Sequence, residues 1–116
     1  MSIDYTPPLG DNLGYTSLEL FLLSLSSCAG SAILVLLRKM NKRIDNFEII
    51  SLGERKDNHP TGFKKISMQI NVKSGDINSV ELEKVIEKIE TICPVLSMLD
   101  KSIETIFNFE INESDW

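Results

Sequence analysis

The sequence predicts an α+β fold in which a long buried helix and a second, kinked helix pack against an antiparallel sheet. Residues 20–37 carry no charged side chain, which favours a helix that is buried nearly all round. Residues 79–92 place their apolar side chains on one helical stripe, and residues 63–73 alternate between apolar and polar side chains. Residues 79–92 thus have the period of an amphipathic helix, and residues 63–73 have the period of a half-buried strand.

The composition limits the domain organisation and the class of function. A chain of 116 residues with 42% apolar and 25% charged residues is ordinary for one globular domain, and we assign a single domain to residues 1–116. The net charge of −5 disfavours nucleic acid as a partner. Two cysteines and one histidine cannot supply the four ligands of a structural zinc site. We expect a cytoplasmic protein with no metal or other cofactor.

The first helix is expected over residues 17–41. Thr16 and Glu19 have the spacing of a capping box, in which each closes a hydrogen bond at the start of the helix. The basic residues that follow the apolar run suit the negative end of the helix dipole. Residues 1–15 are rich in proline, glycine and asparagine, so we expect a loose arm with at most one short strand.

The rest of the chain predicts two strands, a helix, a short helix and a last strand. Pro94 must interrupt the second helix, since its ring clashes one turn back and it donates no hydrogen bond. We expect the two strands over 47–56 and 63–73, the helix over 79–92, the short helix over 95–101 and the last strand over 103–111.

The uncharged run also raises the alternative of a single membrane span. Its length lies at the lower limit for crossing a bilayer. Several serines and a glycine interrupt it, and the remaining chain has too little apolar material for a good core without it. We therefore favour a core helix and expect no membrane association.

One chain leaves part of the first helix uncovered. Ser24, Ser27 and Ser31 share one face, with Gly30 nearby, and small side chains allow two helices to approach closely. This arrangement favours a symmetric homodimer in which two such helices meet.

The two cysteines are candidate site residues. Cys28 lies in the middle of the first helix, and Cys93 precedes Pro94, where a break frees backbone amides that can lower a thiol pKa. Such a pair suits a nucleophilic thiol that reacts with peroxide and a second thiol that resolves the sulfenic acid. The alternative is that both cysteines simply pack in the core, as free cysteines usually do.

Several motifs together resemble one family. The segments are TSLEL at 16–20, LSSCAG at 25–30, FEI at 47–49, HPTGF at 59–63 and ICPV at 92–95. They are similar to the motifs of the OsmC/Ohr family of thiol-dependent hydroperoxide reductases and their relatives, over residues 9–111.

The resemblance implies an intertwined homodimer with two central helices. It implies that Cys28 is the peroxidatic residue, Cys93 the resolving residue and Glu19 the family's glutamate, offset by one position. The partners would then be a small organic hydroperoxide and a thiol reductant. The alternative function is an OsmC-like protein without peroxidase activity that binds a small ligand or handles thiol or sulfur groups in the dimer cleft.

The chain departs from the family pattern in two respects. Its front end is short, so most of the family's N-terminal strands are missing. Peroxidatic members carry an arginine in that region, whereas no Arg, Lys or His precedes Arg38 here. Arg38 follows Cys28 by ten residues, about 15 Å along the helix, and cannot reach it within the same helix.

Overall fold

The computed structural model describes residues 2–112. Three helices pack against one face of a three-stranded sheet. The elements are α1 (Ser17–Lys39), β1 (Asn46–Arg55), β2 (Phe63–Lys73), α2 (Ser79–Ile92), α3 (Pro94–Ser97) and β3 (Glu104–Asn112). The predicted α+β class is confirmed, and β2 and α2 have the predicted bounds.

The sheet is mixed, so the expectation of a wholly antiparallel sheet was wrong for one pair of strands. β1 and β2 form an antiparallel hairpin, whereas β3 lies parallel to β2 on its other side. The reason is the connection: α2 and α3 cross the sheet between β2 and β3 and return the chain in the same direction.

The core lies between the helices and this sheet. Its sheet side is formed by the alternate residues of β2, and its helical side by one stripe from each long helix. The buried members are Ile66, Met68, Ile70 and Val72 of β2, Leu25, Ala29, Ile33 and Leu37 of α1, and Leu82, Val85, Ile86 and Ile89 of α2. The apolar stripe of α2 is thus its buried face, as its spacing predicts.

Helix α1 is covered on one side only. Strand β1 packs against Gly30, where a Cβ would lie 3.4 Å from the Phe47 ring, close to ordinary van der Waals contact. The opposite face is open in the single chain: Ser27 and Ser31 are exposed, and Leu23 and Val35 are about half exposed. The serine face of α1 therefore lacks a cover among the described residues of one chain.

The N-terminal arm folds back on itself. Ile3 and Tyr15 form one isolated bridge, in keeping with the expectation of at most a short strand. The Asp4 carboxylate accepts hydrogen bonds from the backbone amides of Leu13, Asp11 and Tyr5, which hold the pKa of Asp4 below its usual range.

Candidate functional site

Cys28 lies at the edge of the buried face of α1. Its neighbour Ala29 is fully buried, whereas Ser27 on its other side is exposed. The Cys28 side chain is itself half-buried and is not in a disulfide. It is therefore placed between the core and the open face of the helix, where part of its surface is accessible.

Cys93 lies at the junction of α2 and α3. Its extended backbone, with φ −76° and ψ 116°, follows from the proline after it, since the proline ring disfavours a helical conformation in the preceding residue. The Cys93 amide still closes α2 by donating to the Ile89 carbonyl oxygen at 2.9 Å, and its own carbonyl accepts from Ser97 at 3.0 Å. Its side chain is only 1% exposed.

The structure brings the two thiols together, although 64 residues separate them in the chain. Burial is the main cause that raises the pKa of the Cys93 thiol, and a hydrogen bond with the Cys28 thiol raises it further. The two thiols are therefore close enough to affect each other directly.

Backbone amides also reach the Cys93 sulfur, as the break at Pro94 predicts. The Leu96 and Val95 amides of the first turn of α3 hydrogen bond to it and act to lower its pKa. Their effect is smaller than that of burial, and the net shift is upward. The amides act in the expected direction, but burial outweighs them, and the sequence did not reveal how deeply the sulfur is buried.

Glu19 lies away from the cysteine pair. It precedes Cys28 by nine residues, which places it about 13.5 Å along the axis and half a turn around α1. Its carboxylate accepts from the Thr16 amide at 2.9 Å, and the Thr16 hydroxyl accepts from the Glu19 amide at 3.3 Å. The two bonds form the predicted capping box, and the Thr16 amide, followed by the Thr16 hydroxyl, lowers the pKa of the Glu19 carboxyl. A catalytic role for Glu19 stays a prediction.

A cleft of about 520 Å³ opens beside Glu19 and contains a cation that the sequence reasoning missed. Arg55, at the end of β1, lines this cleft together with Phe63 and Tyr5. Its Nε–H donates to the Thr61 carbonyl oxygen at 2.7 Å, and its guanidinium also bonds the Thr61 hydroxyl. Neither cysteine lines the cleft. Only the register of the hairpin places Arg55 here, so no local pattern could have revealed it.

The family model for OsmC-like proteins matches residues 10–108. The chain belongs to the OsmC-like family. This confirms the family resemblance carried by the motifs around the two cysteines. No curated protein matches the chain significantly in sequence.

Solved structures share the OsmC-like fold. A hypothetical protein from Aquifex aeolicus VF5 is 26% identical with a TM-score of 0.80, covering 91% of this chain and 80% of that one. The organic hydroperoxide resistance protein OsmC from Legionella pneumophila is 17% identical with a TM-score of 0.71, covering 87% and 73%. The organic hydroperoxide resistance protein OhrB of Bacillus subtilis is 18% identical with a TM-score of 0.66, covering 85% and 73%.

Helix α1 meets the length and composition expected of a membrane span. Such a helix is weak evidence for a span, because the core helix of a soluble protein meets the same criteria. Leu25, Ala29, Ile33 and Leu37, at successive turns of α1, are fully buried against the core. One face of α1 therefore packs in the core of the OsmC-like fold.

Proposed function

We propose that this protein is a thiol-dependent reductase of organic hydroperoxides that uses Cys28 and Cys93. Membership of the OsmC-like family supports a redox role, and its structural neighbours include proteins named for organic hydroperoxide resistance. The observation that carries the proposal is the hydrogen-bonding contact between the two thiols. Two cysteines that merely fill space would not need to meet.

The difference in burial between the two thiols supports different parts for them in the proposed reaction. Cys28 is half-buried at the edge of an open helix face, whereas Cys93 is buried and keeps its proton because its pKa is raised. The Cys28 thiolate attacks the outer oxygen of the hydroperoxide and breaks the O–O bond. It becomes a sulfenic acid, and the leaving alkoxide takes a proton from water to give the alcohol.

The second step uses Cys93. Its sulfur attacks the sulfur of the Cys28 sulfenic acid, the S–O bond breaks, and the lost hydroxide and the Cys93 proton leave as water. The product is a Cys28–Cys93 disulfide. Two equivalents of an external thiol reduce it through thiol–disulfide exchange and are themselves oxidised to a disulfide.

The proposal includes a homodimer in the cytoplasm. The open serine face of α1, flanked by Leu23 and Val35 at 50% and 48% exposure, is the surface on which a second copy would pack. A twofold pairing of this face would bury the uncharged helix and place the half-buried Cys28 near the interface.

Trapping of the sulfenic acid tests the proposal. In Cys93→Ser, cumene hydroperoxide should convert Cys28 to a sulfenic acid that dimedone labels stoichiometrically, because the condensing thiol is gone. Cys28→Ser is the matched control and should give no adduct at Cys93. Label on Cys93 in that control, or none on Cys28 in Cys93→Ser, would contradict the assigned parts.

A second candidate function is the binding of a small ligand without peroxidase activity. The observation that favours it is the cleft beside Glu19 and Arg55, which is separate from both cysteines. Its volume of about 520 Å³ is in the range of small-molecule sites. If both thiols stay free at every pH tested in the presence of excess hydroperoxide, this second function is favoured.

A further inference from the structure

A second cleft lies at the far end of α1, between its last turn and α2. It has a volume of about 430 Å³. Its walls combine three lysines with three apolar side chains: Lys39, Lys84 and Lys88, and Leu36, Met40 and Val85. It is not lined by either cysteine, by Glu19 or by Arg55.

The charge at this cleft is positive, in contrast to the net charge of −5 of the chain. Glu81 is the acidic residue of its lining, and the Lys42 ammonium already pairs with it at 2.7 Å. Lys39, Lys84 and Lys88 make no ion pair with residues 2–112. Three lysines without an ion pair in that range therefore border one small cavity.

Two acidic residues of α2 lie near the cleft lysines. Lys84 and Lys88 are one turn apart and line the cleft. Glu81 and Glu87 are each three residues from Lys84, about 60° around the helix. Glu81 already pairs with Lys42, and Glu87 makes no ion pair with these lysines within residues 2–112.

The cleft floor is apolar. Val85 is almost fully buried and Leu36 partly buried, while Met40 is 40% exposed, so a ligand can cover it. An aliphatic group could cover this floor beside the lysines.

We infer that this cleft binds an anionic amphiphile with a single aliphatic chain, such as a medium-chain carboxylate. The head group would lie among Lys39, Lys84 and Lys88, each of which donates charge-assisted hydrogen bonds. The chain would cover Leu36, Met40 and Val85, and burying this apolar surface favours binding. The inference is independent of the cysteine chemistry.

Calorimetry with decanoate tests the inference. The wild-type chain should bind decanoate with saturation, and decan-1-ol, which has the same chain and no charge, should bind about tenfold more weakly or not at all. The double variant Lys84→Gln/Lys88→Gln should lose about tenfold in affinity, because glutamine keeps much of the side chain and removes the charge. Lys64→Gln/Lys101→Gln, which changes two exposed lysines outside the cleft, should bind like wild type.

Three results would overturn the inference. Equal binding of decanoate and decan-1-ol would show that the lysines do not select the head group. An equal loss in both double variants would show a response to net charge alone. Binding to vesicles that contain anionic phospholipid, without binding to free decanoate, would assign the lysines to a membrane surface instead. Because no peroxide is used, these results are separate from any test of the thiols.

Discussion

The Cys93 thiol meets the Cys28 thiol where α1 packs against α3, and this contact adds to burial in raising the pKa of Cys93. One partner is half-buried and the other almost fully buried. The contact makes the two thiols a pair of one more accessible sulfur and one sheltered sulfur. That asymmetry is what a nucleophilic and a resolving cysteine require.

The two thiols should differ in their reaction with iodoacetamide at pH 7. In Cys28→Ser, Cys93 should stay unmodified, because it is 1% exposed and its raised pKa keeps it in the unreactive thiol form until the pH is well above neutral. In Cys93→Ser, the half-buried Cys28 should be carboxamidomethylated. Mass spectrometry of both variants measures this difference, and rapid labelling of Cys93 at pH 7 would contradict it.

Leu25→Asp should prevent folding. Leu25 is fully buried in the core, so the new carboxylate would have no solvent and no partner. We expect a loss of about 4 kcal/mol or more in the free energy of unfolding, a large part of the stability of a domain of this size. Circular dichroism and urea titration check this, and a native spectrum with unchanged stability would contradict the packing of α1.

Ser27→Asp should leave the fold intact but prevent self-association. Ser27 is exposed in the single chain, so an aspartate there is solvated in the folded monomer. Two such carboxylates facing each other across a twofold interface would repel and be desolvated. Analytical ultracentrifugation should give twice the chain mass of 13.1 kDa for wild type and 13.1 kDa for the variant. A monomeric wild type would refute the proposed dimer.

The Lys42–Glu81 ion pair should make stability depend on pH. The Lys42 ammonium, then the Asn78 amide, lower the pKa of Glu81 in the folded protein. The stabilisation is therefore present above the unfolded pKa of about 4.3 and is lost as the pH falls through the lower folded value. Glu81→Gln removes the charge and keeps the side-chain length that a capping box needs.

Urea titrations at two pH values measure this effect. Glu81→Gln should be less stable than wild type at pH 7, and the difference should shrink at an acidic pH below the lowered pKa of Glu81. Glu83→Gln, at an exposed position on the far side of α2, should differ little from wild type at either pH. If Glu81→Gln lowers the free energy of unfolding by the same amount at both pH values, the charge of Glu81 is not what stabilises its contact with Lys42.

The helices and strands could be predicted from the sequence because their signals are local. The alternation of 63–73 and the apolar stripe of 79–92 gave the bounds of β2 and α2, and Thr16 with Glu19 gave the start of α1. The parallel direction of β3 was missed, since alternation along a strand is the same in either direction.

The site could be predicted only in part. The meeting of Cys28 and Cys93 depends on how α1 packs against α3, which no spacing along the chain encodes, and only the family resemblance suggested it. The burial of Cys93, which reverses the expected pKa shift, is likewise a result of tertiary packing. Arg55 reaches the Glu19 cleft through the hairpin register, and the lysine cleft needs two helices side by side.

Peptide mapping after oxidation tests the central claim most directly. The wild-type protein, treated with a small excess of cumene hydroperoxide and then alkylated, should yield one Cys28–Cys93 disulfide-linked peptide pair. It should lose both free thiols, and dithiothreitol should restore them. If both cysteines are recovered fully alkylated, or if the oxidised cysteines are linked only between different chains, the assignment of Cys28 and Cys93 as an intramolecular redox pair is wrong.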